Sequence, residues 1–135
     1  MNDGPFVPPS KAGPPFRVLV MASLQPGYYT AGDDERRDAI LPAMKALFDG
    51  WEQLGARLIG SFDDDLFIVG PPASVDFSVY LLLEVDSLDV VVRMLQQVRE
   101  VTTGVRLDSY IRFEARIGRA LFLASDFPGN ENIGS

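Results

Sequence analysis

The chain has 135 residues, 12 basic and 19 acidic, for a formal net charge of -7. That length fits one domain with a real core. The acidic balance argues against nucleic acid, whose phosphates need a basic surface, and against a polybasic membrane contact. Cys and His are both absent. Their absence removes disulfides, thiolate chemistry, Ser-His and Cys-His nucleophiles, the usual axial ligand of haem, and the imidazole and thiolate ligands of zinc. The expectation is therefore no cofactor and no metal, with any chemistry left to carboxylates, Tyr, Arg, Lys, Trp or the backbone.

Residues 1–15 hold five prolines and two glycines. Such a stretch makes neither ladders nor helical hydrogen bonds and reads as a flexible arm, with Phe6 and Val7 as possible anchors. It has no basic n-region and no apolar h-region, so it is not a secretory signal. No apolar run approaches the roughly 20 residues needed to span a bilayer. A cytoplasmic protein is the plain expectation.

Phe16–Leu24 reads as the first strand, with Val18, Val20, Ala22 and Leu24 on one face and Arg17, Leu19, Met21 and Ser23 on the other. QPGYYTAGD then breaks the regularity and reads as a loop carrying Tyr28 and Tyr29, which either cover the end of the core or form a lid over a pocket mouth. Asp33 or Asp34 caps a helix. Ile40, Leu41, Met44, Leu47, Phe48, Trp51 and Leu54 give it one apolar stripe. Pro42 should kink it or remove a bond, and Gly55 ends it. Trp51 is core by its spacing, with a ligand platform as the alternative.

Ala56–Phe62 reads as a second strand, Asp63–Asp65 as a solvated turn, and Leu66–Val69 as a further extended stretch closed by GPPAS. Three contiguous aspartates do not surround a cation, and the EF-hand spacing is missing. Phe77–Val85 reads as the strand at the middle of the sheet. Phe77, Val79, Leu81, Leu83 and Val85 share a wholly apolar face, while Ser78, Tyr80, Leu82 and Glu84 share a mixed one. Asp86 or Ser87 caps a second helix with a stripe from Val90 to Val101, stopped by Gly104. Val105–Leu123 carries the last strand, where Ile111, Phe113 and Ala115 alternate with Tyr110, Arg112, Glu114 and Arg116. Gly118 should mark a bend or bulge. Residues 124–135 read as a flexible tail.

The order β-α-β-β-α-β predicts an α+β, ferredoxin-like domain over residues 16–123, an antiparallel four-stranded sheet with two helices on one face. At this point the chain resembles the dimeric α/β-barrel superfamily, in which two such sheets face one another. Within it, Glu35–Phe48, Gly55–Gly70 and Ser109–Phe122 are similar to darcynin-like proteins, including a small protein of bacterial indole-acetate degradation clusters. The resemblance implies a homodimer with a pocket between sheet and helices or inside the barrel. It selects no reaction: the superfamily holds cofactor-free monooxygenases, cyclases, muconolactone-type isomerases and haem proteins. The catalytic histidine of many members has no counterpart here.

Alternation gathers Arg17, Met21, Ser23, Arg57, Tyr80, Glu84, Tyr110, Arg112, Glu114 and Arg116 on the face away from the helices. Facing a twin, these charges need partners, and Arg112 and Arg116 could pair with Glu84 and Glu114 in a network that fixes dimer register. The same residues could serve a small aromatic acid or polyketide-like metabolite. Arg112 would bind a carboxylate or enolate, Glu84 would shuttle a proton and Tyr80 would donate to an oxyanion. Arg57, Glu114, Arg116, Trp51, Tyr28 and Tyr29 complete the candidate ligand contacts. An isomerase, cyclase or monooxygenase, a non-catalytic binding module and a purely structural dimer all fit this pattern.

Overall fold

The computed structural model describes residues 13–67, 69–70, 77–102, 104–121 and 123. Anchoring by Phe6 and Val7, most of the Pro-rich arm, Ile68, most of GPPAS and the tail lie outside these residues. The main sheet contains β1 (Phe16–Leu24), β2 (Arg57–Asp63), β3 (Val79–Val85) and β6 (Ile111–Gly118) in the order β2-β3-β1-β6. All three pairings are antiparallel. Helices α3 (Leu41–Gln53) and α4 (Leu88–Gln97) supply Ala43, Leu47, Trp51, Val91 and Met94 to one core with Val18, Val20, Ala22, Leu81, Leu83, Val85 and Ile111. The expected ferredoxin-like architecture is therefore the one observed, with β3 paired on both sides.

Strand periodicity explains the layers. β1 turns Val18, Val20 and Ala22 to the helices, and all three are buried. β3 does the same with Leu81, Leu83 and Val85. Its ladder begins at Val79, so Phe77 and Ser78 precede it. Trp51 is 1% exposed, donates its indole N–H to the Met94 carbonyl at 3.0 Å, and lies against Phe48 and Phe113 at ring separations of 5.3 and 5.7 Å.

Helix punctuation accounts for other details. Ser87 accepts the Asp89 N–H at 3.1 Å and starts α4. Gly55, at φ +104, follows α3. There the Gly55 N–H reaches the Glu52 carbonyl at 3.0 Å and the Ala56 N–H reaches Trp51 at 3.1 Å, the paired bonds of a Schellman ending. This ending delivers the chain directly into β2.

Several expectations change. The Tyr28–Tyr29 loop is a short helix, α1 (Pro26–Thr30), because Pro26 occupies the first turn, where a missing N–H costs nothing and φ is already set. The long first helix is divided into α2 (Asp33–Glu35), a π-turn (Arg36–Ile40) and α3. In that turn the Leu41 N–H bonds the Arg36 carbonyl one residue further back than in an α-helix, immediately before Pro42. The wider turn meets the constraint that the proline ring places on the preceding turn. Leu66, Phe67 and Val69 join no ladder and are exposed. Val101 does not extend the second helix. It opens a two-stranded hairpin, β4 (Val101–Thr102) with β5 (Val105–Arg106), and Gly104 at φ +82 serves its turn. A 3-10 turn, Leu107–Ser109, leads into β6. β6 stops at Gly118, which pairs with Arg17 at the strand end rather than forming a bulge. Among the described residues no helix is long and apolar enough to cross a membrane.

Candidate functional site

Register turns the helix-free face into a grid. The first row across the sheet is Arg57, Glu84, Arg17 and Gly118; the second is Gly60, Leu82, Leu19 and Arg116; the third is Phe62, Tyr80, Met21 and Glu114. Arg112 stands beside Ser23 one row further on. Charged residues thus flank an apolar middle.

In the first row Glu84 lies between two guanidiniums. Its Oε2 is 3.4 Å from Arg17 Nε and its Oε1 is 3.4 Å from Arg57 Nη2. Arg57 also reaches Asp86 at 3.2 Å. That hydrogen bond and the Arg57 charge hold the Asp86 carboxyl below its ordinary range. At the other edge Glu114 is shared by Arg112 at 3.5 Å and Arg116 at 3.6 Å. The expected pairing is therefore half met: Arg112 and Arg116 pair with Glu114, while Glu84 is taken by Arg17 and Arg57.

The middle of the grid holds a trough of about 310 Å³ lined by Leu19, Gly60, Ser61, Phe62, Tyr80 and Leu82. Two features of the sequence make it. The β2 ladder shifts register between Leu58 and Gly60, a bulge that changes the strand's course. Gly60, with no side chain, then leaves the space above Leu82 open: a Cβ built there would meet nothing within 4 Å. Phe62 stacks on Tyr80 with ring centroids 4.8 Å apart and planes 17° apart, giving the trough an aromatic wall.

Fold comparison adds the following. No family model matches the chain. No curated protein matches it. Two solved structures are similar to the chain, and the first shares its fold. One is the crystal structure of "Putative Chlorite dismutase TA0507", at TM-score 0.52 and 20% identity over 85% of this chain and 47% of that one. The second is RPA0582, a protein of unknown function from Rhodopseudomonas palustris, at TM-score 0.48 and 19% identity over 78% of this chain and 82% of the other. The chain spans about half the length of the first. The fold is ferredoxin-like. At 20% identity the likeness to the first concerns the fold alone.

The three residues expected to act together are separated. Glu84 pairs with Arg17 and Arg112 with Ser23, six residues apart along β1, or about 20 Å at the usual strand rise. Tyr80 lies between them in register but on the opposite side of β1 from Arg112. Its hydroxyl is engaged, 3.2 Å from Asp64 Oδ2 and 3.0 Å from the Phe77 carbonyl. Burial, then the Asp64 hydrogen bond, raises the Tyr80 phenol above its ordinary pKa. Trp51 sits under the sheet in the core, away from the trough. Tyr28 is half-buried against the core under the Arg36 guanidinium, 5.7 Å from its ring, and Tyr29 is exposed. Neither tyrosine lines the trough. Instead Arg36 ties α1 down by donating to the Tyr28 carbonyl at 3.0 Å, and Tyr110 donates to Glu35 at 2.9 Å. The trough residues Leu19, Gly60, Phe62 and Leu82 were absent from the sequence-derived site. The one available signal was a glycine inside a strand pattern, which marks a bulge or a close approach.

Proposed function

We propose that the protein is a homodimeric, small-molecule-binding module of the dimeric α/β-barrel kind, holding a small aromatic acid in the trough between Leu19, Phe62 and Leu82. The observation that carries this reading is an apolar, aromatic-walled concavity inside a charged frame, the arrangement from which small-ligand sites are built. A ring would lie along Phe62 and Tyr80. Its carboxylate would face the β6 side, where Arg116 stands beside Leu19 in the same row. Resemblance to darcynin-like proteins, including a small protein of bacterial indole-acetate degradation clusters, supports the same ligand class.

A twin molecule is the natural cover. All seven residues of β2 are exposed, including Leu58 and Phe62. An apolar edge strand left open in this way invites aggregation unless something is laid on it. Binding is favoured over isomerisation, cyclisation or oxygen chemistry because Tyr80 has no free proton to donate and Glu84 is held between two guanidiniums. A second reading, a structural dimer, is favoured by one observation: Phe62 is exposed at the trough and is the right size to fill its twin's concavity.

Sedimentation velocity and calorimetric titration with phenylacetate test these readings. The binding reading expects a dimer that takes phenylacetate better than 2-phenylethanol and loses it in Gly60→Val. A monomer in solution overturns the whole proposal. A dimer that binds neither compound, and that Phe62→Ala dissociates, supports the structural alternative instead.

A further inference from the structure

We infer a second ligand site, for an amphipathic monocarboxylate, in the cleft between the C-terminal end of α4 and the start of β6. It lies at the opposite edge of the sheet from the trough and encloses about 380 Å³, within the range of small-molecule sites. Its floor is Leu95, Val98, Ile111 and Phe113, of which Val98 and Ile111 are buried. Its polar walls are Arg99, Arg112 and Gln25.

Charge makes the cleft selective. Among the described residues no carboxylate pairs with Arg99. Asp108, also at the cleft, is already bound by Arg106 at 2.7 Å. Arg112 is held only at 3.5 Å, by a Glu114 that Arg116 shares. The Arg99 guanidinium therefore overlooks a greasy floor in a chain whose overall charge is -7, while Arg112 borders the cleft from β6 with its guanidinium on Glu114. The C-terminal end of α4 opposes an anion with about half an elementary charge, less than Arg99 supplies. A guanidinium recognises a carboxylate through two parallel N–H donors, and Leu95 and Phe113 accept the tail. Arg112 stands on the helix-free face beside Ser23, so it meets this cleft at the rim.

Octanoate is the probe, titrated by calorimetry into the intact protein, with octanol lacking the charge and inorganic phosphate lacking the tail. Octanoate should bind more tightly than either. Arg99→Glu, an exposed change that circular dichroism should show to be folded, should weaken octanoate by about tenfold or more, as loss of a charged hydrogen bond implies. Gly60→Val, which closes the trough, should leave octanoate binding unchanged. Equal affinity in wild type and Arg99→Glu overturns the site. Phosphate binding as tightly as octanoate also overturns it, because the floor would then contribute nothing.

Discussion

Replacing Trp51 by Phe should destabilise the fold by about 2–4 kcal/mol. Trp51 is 1% exposed, so the change is felt in full. The smaller ring leaves a void between Phe48 and Phe113, whose centroids lie 5.3 and 5.7 Å from the indole. Its share is about 1–2 kcal/mol, by analogy with partial truncations in packed cores. The Met94 carbonyl loses the indole N–H that it accepts at 3.0 Å. Burying that acceptor with less compensation costs about 1–2 kcal/mol more. For a domain of this size the sum is a large fraction of a total stability of about 5–15 kcal/mol. Urea unfolding followed by circular dichroism measures the loss. Trp51 is the single tryptophan, so its fluorescence in the wild type should report a buried indole that reddens only on unfolding. A loss below about 0.5 kcal/mol, the range of surface changes, would refute the placement of Trp51 as the hinge between α3, α4 and β6.

Other outcomes are expected at single positions. Gly55→Ala should cost about 1–2 kcal/mol in urea unfolding, entirely through backbone strain, since φ is +104 and a Cβ would meet nothing within 4 Å. Asp86→Asn should matter at neutral pH and not in acid. The Asp86 carboxyl is depressed in the folded protein by Arg57, so its contribution is present above the unfolded value of 3.8 and lost as pH falls through the lower folded one. Acid unfolding curves of wild type and variant should therefore converge below pH 3.8. Asp64→Asn should bring one phenol back towards 10.0 in an ultraviolet titration, because burial and the Asp64 bond both raise Tyr80. That raised group stabilises the fold fully below the unfolded value and ceases to as pH rises through the folded one.

The layers of the fold were legible because β1, β3, α3, α4 and β6 each carry an unbroken period of two or 3.6. Ser87 and Gly55 were legible as a cap and a stop for the same local reasons. α1 was missed because Pro26 and Gly27 read as breakers, although a proline in a first turn starts a helix. The hairpin around Gly104 was missed because two-residue strands leave no periodicity to detect. The register separates Glu84, Tyr80 and Arg112 for a physical reason. Alternation says which face Glu84, Tyr80 and Arg112 share, and it was right about that. It says nothing of which row each occupies, since row depends on cross-strand register and strand order, and those follow from turn geometry and packing. The trough escaped because its defining residue, Gly60, acts by what it lacks.

β1 is flanked by β3 and β6 along its length, with Arg17, Met21 and Ser23 nearly as sequestered as Val18 and Val20. Its amides should thus exchange with deuterium only through global opening, while those of β2 and β6 exchange through local fraying. The trough opens on the β2 side of this immobile spine and the α4–β6 cleft on the other. Either outer strand can loosen to admit a molecule without disturbing its counterpart, so two occupants need not sense one another.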